Sequence, residues 1–182
     1  MSEPVEHIEF SVDDTAALVA RMEVMSRGGR GWLNVQPEVE GDEEPEPVDG
    51  GTGGDAGVAG VAPDRHRYGL SDAATNVYRT LFTSRGPGIP MATWTPPARS
   101  QRPARIGIEH GTGPKALRRL ADAGTVVPEG WRVVQDHPRT GVVIDAPAAA
   151  APVDVLDWLL EAVAALCPLS LTGRWHADVH PG

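Results

Sequence analysis

Residues 7–12 (HIEFSV) alternate polar and apolar positions, the period of a strand with one buried face. Asp13 or Asp14 can cap a following helix on which Leu18, Met22 and Met25 recur at helical spacing, and Gly28-Gly29 stops it. Residues 31–36 (GWLNVQ) return to strand character. Ser71-Asp72 can open a second helix with Ala74, Val77, Tyr78, Leu81 and Phe82 as its stripe, although these residues suit a strand as well. A turn at 84–90 leads to a strand over 91–95, and Pro96, Pro97 and Pro103 keep the next connection out of any central strand. Residues 105–110 (RIGIEH) form the next strand. Pro114 then stands at a first helical position, with Leu117, Leu120 and Ala121 facing inward and Gly124 closing the helix. Residues 131–135 and 141–145 make a hairpin around DHPRT. Pro152 starts the longest helix, whose stripe is Leu156, Leu159, Leu160, Val163 and Leu166, and residues 171–179 close the chain as a strand.

This order predicts an α+β fold in which three to four helices pack on a largely antiparallel sheet. Ile8-Glu9, a helix and Gly31-Trp32 are echoed by Ile108-Glu109, a helix and Gly130-Trp131. Two related β-α-β halves would account for this, and so would chance in a chain rich in Gly and Val.

The periodicity breaks between 38 and 63, where eight acids stand among glycines and prolines with no basic residue and no aromatic. Such a segment buries too little apolar area to offset the entropy of ordering it. The expected organisation is one domain, with 1–37 as its first β-α-β part, 38–66 as a flexible acidic insertion and 67–182 as the remainder. The tract also segregates charge. Outside it 17 acids face 16 Lys and Arg, whereas the formal net charge of the whole chain is −9. Residues 1–63 carry −11, 64–139 carry +6 and 140–182 carry −4. An acidic tether joined to a basic middle can fold back on it or serve only as a solubiliser.

Composition narrows the function classes. Lys115 is the only lysine among 16 cationic residues, and the abundance of Arg, Ala, Gly and Pro is that of a high-GC bacterial genome, so arginines by themselves do not argue for nucleic acid. The acidic balance argues against it. Cys167 is alone, which removes internal disulfides and cysteine-based zinc sites. No leader pattern and no apolar run of membrane length is present, and the expectation is a cytoplasmic protein without a membrane partner.

Three constellations could carry chemistry. Gly111, Thr112, Gly113 and Lys115 lie where a strand turns into a helix, a place where free N–H groups and a lysine can hold phosphate, although the spacing matches neither the Walker loop nor the dinucleotide fingerprint. His176, Asp178 and His180 share one face of a strand and suit zinc or iron, or are simply polar residues of an edge strand. Glu109-His110 and Asp136-His137 offer acid–base pairs. Cys167, in the last turn of an apolar helix, reads as a small core residue. Trp32, Trp131 and Trp175 each begin a strand and are expected to cap the core. Trp94, beside Arg99, Arg102 and Arg105, is the tryptophan that would be half exposed and dock a partner, the alternative being that it packs in the core like the others. With no nucleophile elbow and no cofactor signature, the leading reading is a non-enzymatic, adaptor-type protein that binds another protein, its basic middle modulated by the acidic tract. The alternative is a small phosphate-ligand-binding domain or enzyme using the turn from Gly111 to Lys115.

Overall fold

Apolar residues at every second position give most of the strands one face that must leave water, and the apolar stripes of the helices supply the surface that covers it. A computed structural model describes residues 4–40, 88–98 and 102–182. Most of the acidic insertion, the helix-or-strand segment at 71–83, and Arg99 lie outside the described residues.

In chain order the elements are β1 (Glu6–Ser11), α1 (Ala16–Gly28), β2 (Trp32–Val39), β3 (Met91–Thr95), β4 (Ala104–Glu109), α2 (Ala116–Asp122), β5 (Arg132–His137), β6 (Gly141–Ala146), α3 (Pro152–Leu166) and β7 (Leu171–His180). The protein is mixed α+β, dominated by one seven-stranded sheet of order β1-β7-β2-β3-β4-β6-β5 in which every neighbouring pair is antiparallel. The described residues include three helices. Among them, no helix is long and apolar enough to cross a membrane.

The connections repeat. β1 and β2 run parallel, are joined by α1, and hold β7 antiparallel between them. β4 and β5 run parallel, are joined by α2, and hold β6 between them. The helix α3 lies over β2 and β3 at the centre, with α1 against one flank and α2 against the other. It buries Val155, Leu156, Trp158, Leu159, Leu160, Ala162, Val163 and Leu166, an apolar surface wide enough to meet both flanking helices and the sheet. Beneath it lie Leu33 and Val35 of β2, Ala92 and Trp94 of β3, and Ile106 and Ile108 of β4. The Trp158 indole N–H, at the edge of this core, donates to the Val126 carbonyl at 2.9 Å, and its ring meets Trp131 edge-on at 5.5 Å.

Several boundaries differ from expectation. The helix α1 begins at Ala16 with Thr15 as its cap residue, because the Asp14 N–H is used to close a tight turn on the Ser11 carbonyl at 3.1 Å. The strand β2 runs through Pro37 to Val39, so Glu38 belongs to the sheet and not to the insertion. Pro37 is tolerated because β2 pairs with β3 only at Leu33, Asn34 and Val35, and the ladder to β7 shifts register just beyond the proline. Pro114 is not the first residue of α2. Gly113 and Lys115 both adopt left-handed backbone (φ 79° and 66°), which delays the helix to Ala116, and Ala121 is exposed. The strand β7 is interior, clamped between β1 and β2, and not an edge.

One close approach sets a requirement that can be tested. Gly141 opens β6 at φ 77°, and a Cβ there would run into the Ile108 carbonyl oxygen of β4. Gly113 has a similar φ of 79°, and apart from its chain neighbours nothing lies within 4 Å of the position its Cβ would take. Gly113→Ala should therefore cost only the backbone strain, about 1 kcal/mol. Gly141→Ala adds a backbone collision to the same strain and should cost at least ~2–3 kcal/mol. Urea denaturation of the two variants checks this, and equal losses would show that the collision is relieved without cost.

Candidate functional site

Strand parity turns one set of side chains toward the helices and the other set away from them. Burial of Leu33, Val35 and Val39 in β2 leaves Trp32, Asn34, Gln36 and Glu38 on the opposite face. Burial of Trp175, Ala177 and Val179 in β7 does the same for Arg174, His176, Asp178 and His180. The antiparallel register then aligns these residues in rows across the sheet. One row places His7 opposite Asp178, Asp178 opposite Asn34 and Asn34 opposite Thr93. It is hydrogen-bonded in pairs, His7 Nδ1 to Asp178 Oδ1 at 2.6 Å and the Thr93 hydroxyl donating to Asn34 Oδ1 at 2.7 Å. Arg174 donates to Glu38 at 2.6 Å toward one end of the face. At the other end, His180 stands opposite Trp32, while Thr95, Arg105, Asp145 and Arg132 continue across the adjoining strands.

That last row holds the two most distinctive contacts. The Trp32 and His180 rings stack with centroids 3.6 Å apart and planes 11° apart, and Trp32 remains 38% exposed. Further along, the Asp145 side chain is only 3% exposed and is held by two arginines, Arg105 Nε donating to Oδ1 at 3.0 Å and Arg132 Nη2 to Oδ2 at 2.6 Å. The hydrogen bonds from Arg105 and then Arg132 lower the Asp145 pKa below its ordinary value, outweighing burial, which acts the other way.

The expected sites are distributed differently. His176, Asp178 and His180 do share a face, but Asp178 is bonded to His7 and His180 is stacked on Trp32. Among the described residues no three His, Cys, Asp or Glu side chains converge as a metal's ligand set. The turn from Gly111 to Lys115 leads into α2 with Lys115, in left-handed backbone, as its N-cap residue. Lys115 is exposed, and the Thr112 hydroxyl is hydrogen-bonded to His110 Nδ1 at 3.0 Å. Trp94 is 1% exposed, not half exposed, because the inward parity of Ala92 in β3 applies equally two residues later. It is therefore removed from Arg102 and Arg105 as a surface partner, and Arg105 is engaged with Asp145. The exposed tryptophan is Trp32, which was expected to cap the core. Trp175 does so, stacked on Phe10 at 6.4 Å. The acid–base pairs are also separated: Glu109 points to the polar face and His110 into the protein. His137 Nδ1 accepts the Arg139 and Thr140 N–H groups at 3.2 and 3.3 Å, so that ring holds the hairpin turn.

The Trp32–His180 stack and the Arg105–Asp145–Arg132 clamp were not singled out from sequence. The parity of β2 and β7 pointed to the first. The second needed the pairing of β6 with both β4 and β5, which periodicity does not reveal. Two further groups complete the chemistry. Cys167 is half-buried, and partial burial raises its thiol pKa, which disfavours the thiolate. His110 is 2% exposed, and its Nε2 has no hydrogen-bond partner. Burial lowers its pKa, Asp136 opposes this, and Arg119 adds to it.

No protein-family model matches the chain, and no curated protein or solved structure matches it at a significant level.

The state of His110 has a consequence for acid stability. With its pKa lowered below 6.5 in the folded protein, the unfolded chain binds the extra proton first as pH falls. Its neutral form favours the fold fully above pH 6.5, and that contribution is lost as pH drops from there through the lowered pKa. The melting temperature of the wild type, compared with that of His110→Gln, should therefore decline between neutral and mildly acidic pH. A constant difference across that range would mean that the imidazole titrates alike in both states.

Proposed function

We propose that the chain is a non-enzymatic adaptor that binds another protein, acting in the cytoplasm, and that the Trp32–His180 end of the polar sheet face is its contact surface. The observation that carries this reading is an exposed tryptophan held flat against a histidine in the same row as two exposed arginines. Tryptophan and arginine dominate the energetics of protein interfaces, and a ring fixed before binding loses little entropy when it is covered. The titratable groups support the same view. His7, His137, His176 and His180 are on or near the surface, the first two hydrogen-bonded within the fold and His180 stacked, while the pKa shifts of the buried His110 and the half-buried Cys167 favour their neutral forms.

Two further elements belong to the proposal. The acidic tract modulates the basic middle, a reading supported by the −11 and +6 charges of residues 1–63 and 64–139. The two split β-α-β units are copies of one ancestral unit, supported by their shared connection pattern and by the matching Ile-Glu and Gly-Trp positions.

Affinity capture from the native host with wild type and Trp32→Ala tests the contact surface. Trp32 lies outside the helix-covered core, so the variant should melt within a few degrees of wild type, as surface substitutions do. It should retain at least ~10-fold less of a partner that the wild type captures, the loss of about 1.4 kcal/mol or more expected at an aromatic hot spot. Identical captured proteins in identical amounts would remove this surface from consideration.

A further inference from the structure

We propose that Arg105 and Arg132, braced on the two oxygens of Asp145, form a site for the carboxylates of an acidic protein segment. This deepens the partner-binding reading above and names the chemistry of the partner.

The argument begins with charge. A buried carboxylate must be paired, but a single arginine would neutralise it. Here two guanidinium groups share one anion, leaving a surplus positive charge on side chains that are 57% and 74% exposed. Each guanidinium has five N–H donors in a planar fork. Arg105 spends Nε on Asp145 and Arg132 spends Nη2, so most donors on both remain for a ligand. Arg102, exposed two residues before β4, adds to the same positive end.

Asp145 also does something that an isolated surface arginine lacks. It fixes both long side chains before a ligand arrives, which lowers the entropy cost of binding. The row then continues through Thr95 to Trp32. From β4 to β2 there are two strand spacings, about 10 Å, the span of roughly three extended residues. An acidic segment crossing the strands would set carboxylates on the arginines while a neighbouring residue covers the Trp32 ring.

The test is binding of a fluorescent oligoglutamate peptide to the full chain at low ionic strength, with folding of each variant checked by circular dichroism. The wild type should bind and should weaken on addition of salt. Arg105→Gln and Arg132→Gln should each weaken binding ~10-fold or more, the loss of a charge-assisted hydrogen bond or two, whereas Arg102→Gln should weaken it less than ~3-fold. Asp145→Asn is the sharpest variant. Simple charge attraction predicts tighter binding, since a negative charge is removed, while a braced fork predicts weaker binding. If Asp145→Asn fails to fold, the contrast between Arg132→Gln and Arg102→Gln decides alone. No binding by the wild type, equal losses in those two variants, or equally tight binding of single-stranded DNA with the same variant pattern would each overturn the proposal. A host partner lost in Trp32→Ala but indifferent to Arg132→Gln would overturn this site while leaving the adaptor reading intact. Oligoglutamate binding with no partner sensitive to Trp32→Ala would do the reverse.

Discussion

Burial of α3 across the centre of the sheet is the constraint on which the rest depends. Once Leu156, Leu159, Val163 and Leu166 need apolar cover, β2 and β3 must turn Leu33, Val35, Ala92 and Trp94 toward them. Antiparallel pairing then transmits that choice strand by strand, since a slip of one residue would exchange the two faces completely. The polar face is the complement of this decision. Trp32, Asp178 and Arg105 lie together there because their sequence neighbours were required on the other side.

Two of the buried polar side chains show different solutions to the same cost. Asp145 is over-satisfied, with a cation on each oxygen, and its ionised form is favoured. His110 is under-satisfied, with Thr112 on one nitrogen and none on the other, and its neutral form is favoured. Burying an ion is tolerable only with full pairing, whereas a neutral imidazole left with one vacant nitrogen costs about 1–3 kcal/mol. Asp145 is thereby suited to holding other groups in place. His110 reports on the packing between the end of β4, α2 and β5.

Local pattern revealed much of the architecture. The strands at 7–12, 91–95, 105–110 and 171–179 and the helix from Pro152 came from two periodicities and a few caps, because amphipathic elements of this length leave little choice about which face is buried. The boundaries that moved did so for tertiary reasons. β2 extends through Pro37 because β7 continues to pair beside it and β3 does not. Lys115 takes a left-handed conformation that a lysine seldom adopts, so Pro114 no longer starts its helix. Trp94 and Trp32 exchanged roles because a Pro-rich, Arg-rich flank said less about exposure than did the parity of Ala92 and Leu33.

By itself the sequence determined the α+β class, the segregation of charge, the amphipathic stripe of α3 and the sharing of one face by His176, Asp178 and His180. These follow from residues a few positions apart, whose relation the backbone period fixes. The tertiary structure alone decided that β7 would be interior, that β6 would stand between β4 and β5, and hence that Arg105, Asp145 and Arg132 would meet. Contacts between residues far apart in sequence depend on strand order, and strand order is settled by how the helices and strands together bury the most apolar surface.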